Sequence, residues 1–432
     1  MAAVLGAAAI SGVWAFRTSE TRDATVGAAA EAEVLSQTIA FFERKYAADP
    51  YNYLIGNRLV DGYMVRFQLE ADLLDVERAE VIARKMIPIV PDSANAFARL
   101  SLVLLAKHGF ADAFSAARTA VAADTSNAAA QAVLFDAALT IGNYDTAESA
   151  LARLPRRTTT RRLRQARWLA AHGRLTQARE LMLRVCRRFH RTAARRQLVA
   201  WCVTQLADIE HQRLGSEVAS IWLELALTVE PGYRGAIEGL ADLAYARGEW
   251  EEAESLYGEI LADAHPDLYL RLAEVQRFRG RANEATRYEQ RFLEIAADPD
   301  SEALYARPLA FFYADRSGSL DLAVEIMLRE LDRRPSVETY DALSWIYLKR
   351  GELTLALEAS DRVRSWAQPS PTADYHRART LEALGRADEA RKLYGQALAD
   401  PTLLEPHARQ DLRTRACPPQ CLAILPSSSP SD

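Results

Sequence analysis

Ten alanines recur along this chain at nearly fixed spacing: Ala79, Ala113, Ala147, Ala178, Ala219, Ala253, Ala285, Ala323, Ala356 and Ala390. The successive intervals are 34, 34, 31, 41, 34, 32, 38, 33 and 34 residues. Seven glycines keep step, each five positions before its alanine: Gly142, Gly173, Gly248, Gly280, Gly318, Gly351 and Gly385. A unit of this length holds two helices and a turn but is too short for a core of its own. It must bury its apolar face against the next unit, which restricts the chain to a stacked, quasi-linear array.

The phase explains both residue types. A short turn between antiparallel helices needs a residue that leaves the first helix with positive φ, which glycine does without a Cβ clash. The alanine then falls on the second helix where it faces the first, and its small side chain allows close approach. Many of the 19 glycines sit in these turns, and no Val/Ile-rich alternating segments separate them. The expectation is an all-α chain of about ten helical pairs, preceded by a lone helix from about Glu33 to Ala48 that Pro50 closes. The usual prior of two or three globular domains for 432 residues does not apply to such a stack.

With these positions in place, the chain resembles the tetratricopeptide repeat family, whose 34-residue unit sets a large and a small residue in helix A, a turn glycine, an alanine followed by an aromatic in helix B, and a closing proline. Leu240, Ala241, Gly248, Trp250, Ala253, Tyr257, Ile260 and Pro266 follow that pattern. So do Tyr340, Leu343, Tyr347, Gly351 and Ala356, and again Ala378, Gly385, Ala390, Tyr394, Ala397 and Pro401. Other units depart from it, with Glu289 and Ser360 in the aromatic place and no turn glycine before Ala79. Extra residues between Arg66 and Glu77 are expected to lengthen the loop of that unit. The resemblance covers about residues 33–405. It implies an α-solenoid superhelix whose A helices line an inner groove.

The expected organisation is an apolar segment with a linker over residues 1–24, the solenoid over 25–405 and a flexible Pro/Ser-rich tail over 406–432. Residues 1–16 carry no charge, and Val4, Leu5, Ile10, Val13, Trp14 and Phe16 stand among alanine and glycine. That run is shorter than the ~20 residues of a membrane span and lacks the basic start of a signal peptide. It reads as an export signal, a short anchor or a packed helix. Association with a membrane, or export, through residues 1–16 is the expectation, with no orientation readable, as for a membrane-anchored or exported bacterial-type repeat protein.

Charge is unevenly placed. From Arg153 to Arg196 there are fifteen arginines and one acid, Glu180, in a chain of net charge −5. Such a segment creates a field that attracts anions. In phase with Gly173 and Ala178, a first helix should run from about Thr159 to Ala171 and place Arg164 and Arg167 near the inner groove, with Arg184, Arg187 and Arg188 facing outward. Arg164, Arg167, Tyr340 and Tyr347 are therefore the candidate partner-contacting residues, for a protein or peptide partner that is acidic if the arginines hold it. Nucleic acid is disfavoured, because no sequence-reading motif or set of interleaved aromatics accompanies the charge.

Nothing in the chain has the spacing of a catalytic or metal-binding motif, and no cofactor is expected. Histidines are scattered, with His108 and His172 at helix ends. Cys186 and Cys202 read as small apolar packing groups. Cys417 and Cys421 form one pair, where a structural zinc needs four ligands. Known membrane-anchored tetratricopeptide proteins with a C-terminal zinc ribbon have a second pair that is missing here. The leading functional expectation is a non-enzymatic scaffold or adaptor that binds a partner peptide or helix in its groove. An anchored assembly platform without a groove ligand and an anion-binding module built on Arg153–Arg196 are the alternatives.

Overall fold

The computed structural model describes residues 24–70, 73–191, 196–261, 266–298, 302–366, 370–398, 404 and 406–416. Among them lie 22 α-helices and one π-helical turn. Helix α1 (Ala24–Ala48) stands alone. Ten pairs follow: α2 (Tyr53–Glu70) with α3 (Leu73–Met86), α4 (Ala94–Ala106) with α5 (Phe110–Ala123), α6 (Ala128–Thr140) with α7 (Tyr144–Arg153), α8 (Thr159–Ala171) with α9 (Leu175–Arg191), and α10 (Arg196–Leu214) with α11 (Ser216–Val229). Then come α12 (Arg234–Arg247) with α13 (Trp250–Glu259), α14 (Asp267–Phe278) with α15 (Ala282–Ala296), α16 (Glu302–Phe312) with α17 (Leu320–Arg333), α18 (Val337–Arg350) with α19 (Leu353–Trp366), and α20 (Pro371–Ala383) with α21 (Ala387–Ala397). Helix α22 (Pro406–Ala416) ends the series.

Every one of the ten register alanines is 2% exposed or less. All seven turn glycines are left-handed, with φ between 69° and 83°. Where the series lacks a glycine, another solution appears: His108 takes the left-handed place at φ 57° in the Ala113 unit, and in the Ala219 unit Gly215 does so one position late. Ser93, Asn127, Asn143, Thr158, Ser336 and Ser370 start helices by accepting a backbone N–H with their side chains. The two longest intervals also have local causes. The gap of 41 residues coincides with the long helices α9 and α10, of 17 and 19 residues. The gap of 38 coincides with a π-helical turn, Tyr313–Ser317, a device that absorbs an extra residue within a helix.

Three boundaries differ from expectation. Helix α1 begins at Ala24 rather than Glu33. The extra residues before Glu77 extend α2 to 18 residues instead of lengthening a loop, because Arg66 reaches the fully buried Asp75 with a two-pronged ion pair of 2.6 and 2.5 Å that ties the ends of α2 and α3 together. Residues 406–416 are not a tail but a helix: Pro406 stands at its start, where a missing N–H costs nothing, and Leu412 and Ala408 are buried against the last pair. Residues 1–23, including the apolar segment, and 417–432, including Cys417 and Cys421, lie outside the described residues. No helix among the described residues is long and apolar enough to cross a membrane.

First helices pack on first helices at six joints, α2 on α4, α4 on α6, α6 on α8, α10 on α12, α16 on α18 and α18 on α20, more closely than any two successive second helices do. The first helices therefore form the inner wall of the curve. The superhelix also meets itself. The guanidinium of Arg334 lies 4.8 Å from the ring centroid of Phe110, and the rings of Tyr144 and Trp366 are 5.8 Å apart. Tyr144 meets the backbone of Val337, and burial followed by the Glu338 carboxylate pushes its hydroxyl up to about 12. A Cβ at Gly142 would stand 2.5 Å from the Pro335 carbonyl oxygen. Further along, Arg409 of α22 donates to the carbonyl of Ala246, and His407 Nδ1 lies 3.3 Å from Glu274. One edge of the coil thus rests on the opposite edge of its next turn.

Candidate functional site

The register that places the buried alanines also places a rung on the inner wall. Eleven residues before nine of the ten alanines, on the first helix of each pair, stand Leu102, Asp136, Arg167, Asp208, Asp242, Glu274, Phe312, Trp345 and Arg379. From α6 to α14 these rungs are charged, and four of the five are acids.

The acids differ in what neutralises them. Asp136 on α6 receives both Arg164 and Arg167 of α8. Glu274 on α14 accepts from the Tyr245 hydroxyl at 2.6 Å and lies 3.6 Å from Arg316 and 3.3 Å from His407. Burial works against its charge, but the bonds from His407 and Tyr245 and the nearby cations hold it below the usual carboxylate range. Asp242 on α12 accepts from the Tyr257 hydroxyl at 2.5 Å. Asp208 on α10 has only the amide of Gln205 at 3.3 Å and no cation among the described residues. Although it is exposed, the surrounding wall and then the Asp242 carboxylate push Asp208 up to about 6. Glu238, one helical turn before Asp242, has no hydrogen-bond or ion-pair partner among the described residues. Burial raises it above the usual range, Asp242 adds to that, and Arg234 opposes it. The wall across α10, α12 and α14 is thus a strip of crowded carboxylates. On α16 the Arg307 guanidinium is pushed down by burial, offset by Glu338 and Asp341, so that stretch of wall is balanced in charge.

The left-handed turns, the buried alanine register and the inner first helices together decide the architecture. The fold is a tetratricopeptide solenoid. No protein-family model matches the chain, and no curated protein matches it. Solved structures similar to this tetratricopeptide array include a tetratricopeptide repeat protein from Parabacteroides merdae, at 16% identity and TM-score 0.35 over 60% of this chain and 98% of that one. Human IFIT1, as a dimer with PPP-AAAA, is similar at 16% identity and TM-score 0.47 over 79% of each chain. Yeast Tom70 is similar at 10% identity and TM-score 0.37 over 89% of this chain and 92% of that one.

Helix α8 of the tetratricopeptide array runs from Thr159 to Ala171, where the phase puts it, and both Arg164 and Arg167 lie on it. Arg164 is fully engaged, donating to Asp136, to the Ala132 carbonyl at 3.1 Å and to the Thr160 carbonyl at 3.2 Å. Arg167 shares Asp136 and stays half exposed. Other arginines of the segment are engaged as well: Arg161 donates to the carbonyls of Leu151, Ala152 and Leu154, and Arg179 pairs with Glu210. Tyr340 is half-buried, its ring 5.4 Å from Trp366 at the seam. Tyr347 packs in the apolar cluster of α16–α18, and burial raises its hydroxyl. The structure thus brings Arg164 and Arg167 together over Asp136 and sets the two tyrosines apart from them. Sequence reasoning passed over Asp208, Glu238, Asp242 and Glu274. The signal that finds three of them is the eleven-residue offset from the register alanines.

Cys186 and Cys202 are not merely apolar fillers: their sulfurs are bonded across α9 and α10, with Cα atoms 5.5 Å apart. Among the described residues no group of three or more His, Cys, Asp or Glu could hold a metal ion.

Asp208 gives the wall a pH signature. Its folded-state value of about 6 lies above the ordinary 3.8, so between these values the folded chain keeps a proton that the unfolded chain has lost. The stability it contributes falls as pH rises from about 4 to about 6 and stays low above that. Asp208→Asn should therefore raise the melting temperature at pH 7.5 and leave it unchanged at pH 4, which a paired pair of thermal scans would read.

Proposed function

We propose that the chain is a non-enzymatic scaffold that holds an extended, cationic segment of a partner protein along the inner wall of α10, α12 and α14. One observation carries this reading: Asp208 and Glu238 are crowded beside Asp242, Asp208 with no cation acting on it among the described residues and Glu238 with Arg234 and Arg271 only partly offsetting, and both are raised in pKa. A lysine or arginine placed there offsets the desolvation cost and the mutual repulsion with its opposite charge, whereas an acidic peptide or a phosphate backbone adds to the repulsion. The chain's own contacts follow the same chemistry, since Arg316 and His407 already sit on Glu274. Among the arginines first expected to draw an acidic partner, Arg164 and Arg167 are matched by Asp136, Arg179 by Glu210 and Arg161 by backbone carbonyls. Solenoid walls commonly serve as extended binding surfaces of this kind.

The test is capture from source-cell lysate on immobilised full chain beside Asp208→Lys/Glu238→Lys, with mass spectrometry of the retained proteins. Partners carrying Lys/Arg-rich segments should be retained by the native wall and lost by a charge-reversed variant that melts normally. The same set on both would remove the inner wall as the binding surface.

A further inference from the structure

The joint between α9 and α10 carries a feature that groove binding does not use. Cys186 and Cys202 are both fully buried, lie 16 residues apart in the chain and are joined sulfur to sulfur. Cys186 lies within the arginine-rich segment Arg153–Arg196, and Cys202 lies six residues past its end. Arg179, Arg184, Arg187, Arg188 and Arg191 stand on α9 against Glu180, while α10 carries Arg196 and Arg213 against Asp208 and Glu210. A strongly cationic helix is held there beside one of balanced charge, and the cross-link spans their packed face next to Met182, whose sulfur is 3.8 Å from that of Cys202. A cationic surrounding favours thiolate over thiol and so favours disulfide exchange while the hairpin is still open.

Buried structural disulfides persist in oxidising compartments and are rare where thiol reductants circulate. We infer that this array folds and works in an oxidising, extracytoplasmic compartment, with Cys186–Cys202 as a built-in staple of its fourth and fifth pairs. The uncharged run of residues 1–16, for which the sequence leaves an export signal, an anchor and a packed helix open, accords with that placement in the first two readings. The bond forms by exchange. One thiolate attacks the disulfide of a protein dithiol oxidant, and the second displaces that oxidant as its dithiol. Two cysteine thiols are thereby oxidised, one oxidant disulfide is reduced, and both thiol protons pass to the oxidant's sulfurs. This assignment does not depend on what the inner wall binds.

The experiment is thiol trapping of the full chain in source cells. Cells are quenched in acid and fractionated, the protein is denatured in N-ethylmaleimide without reductant, and its peptides are mapped by mass. The expected result is a Cys186–Cys202 linked peptide in the extracytoplasmic fraction. N-ethylmaleimide on both cysteines, or a linked peptide that fractionates with cytosolic markers, would overturn the assignment. As a second reading, chain prepared in a reducing cytosol should gain at least 3 °C in melting temperature when oxidised by a small disulfide. A Cys186→Ala/Cys202→Ala variant should show no gain, and an equal gain in the variant would overturn the staple.

Discussion

Replacing Arg179 and Arg213 together with alanine is expected to loosen the α9–α10 joint by about 3–5 kcal/mol, the cost of leaving a buried charge without partners. Glu210 is completely buried on α10 and is gripped from two sides, by Arg179 of α9 and by Arg213 at 2.8 Å on its own helix. Losing both guanidinium groups leaves its carboxylate uncompensated in the core. Replacing all three residues with methionine should restore most of the loss, since the desolvation of the ions disappears with them. Solenoids open locally, joint by joint, so the readout is amide exchange: α9 and α10 should lose protection in the double variant while α16–α20 keep theirs.

Gly142 should have an effect out of proportion to its size. Its φ of 76° already disfavours any side chain, at roughly 1–2 kcal/mol. Its Cβ position is also occupied, 2.5 Å from the carbonyl oxygen of Pro335 on the next turn of the coil. Gly142→Val should therefore part the seam, separating Phe110 from Arg334 and Tyr144 from Trp366, and raise the radius of gyration in small-angle scattering. Gly280→Val is the matched control, because Gly280 has a φ of 73° but nothing within 4 Å of its Cβ position. It should lose a similar local stability and keep its radius. Equal radii in the two variants would mean that the seam does not hold the coil closed in solution.

The contrast between these two glycines also marks how far the sequence could be read. Local rules fixed the pairs, since a left-handed turn and a small buried residue are demands that each unit makes on itself, and Ala178 or Gly173 states them openly. The span of α8 followed from the same phase. The seam did not, because Gly142 and Pro335 are brought together by rotations accumulated over the intervening joints, and no single joint encodes that sum. The prolines and serines of 406–432 suggest a flexible tail, although Pro406 in a first turn starts a helix, which hid α22. Cys186 and Cys202 were read by their apolar neighbours, and only the packing of α9 on α10 brings their sulfurs together. The acids of the inner wall were half legible. Asp208, Asp242 and Glu274 follow the alanine register, but their lack or possession of partners depends on side chains such as Arg316 and His407 from other helices.

The direct measurement is fluorescence anisotropy of labelled nona-arginine and nona-glutamate peptides with the full chain and with Asp208→Lys/Glu238→Lys. The account predicts that the native chain binds nona-arginine at least ten-fold more tightly than nona-glutamate, that the preference weakens below pH 6 as Asp208 takes up its proton, and that the variant loses it. Equal binding of the two peptides, or a nona-arginine affinity unchanged by the charge reversal, would contradict it.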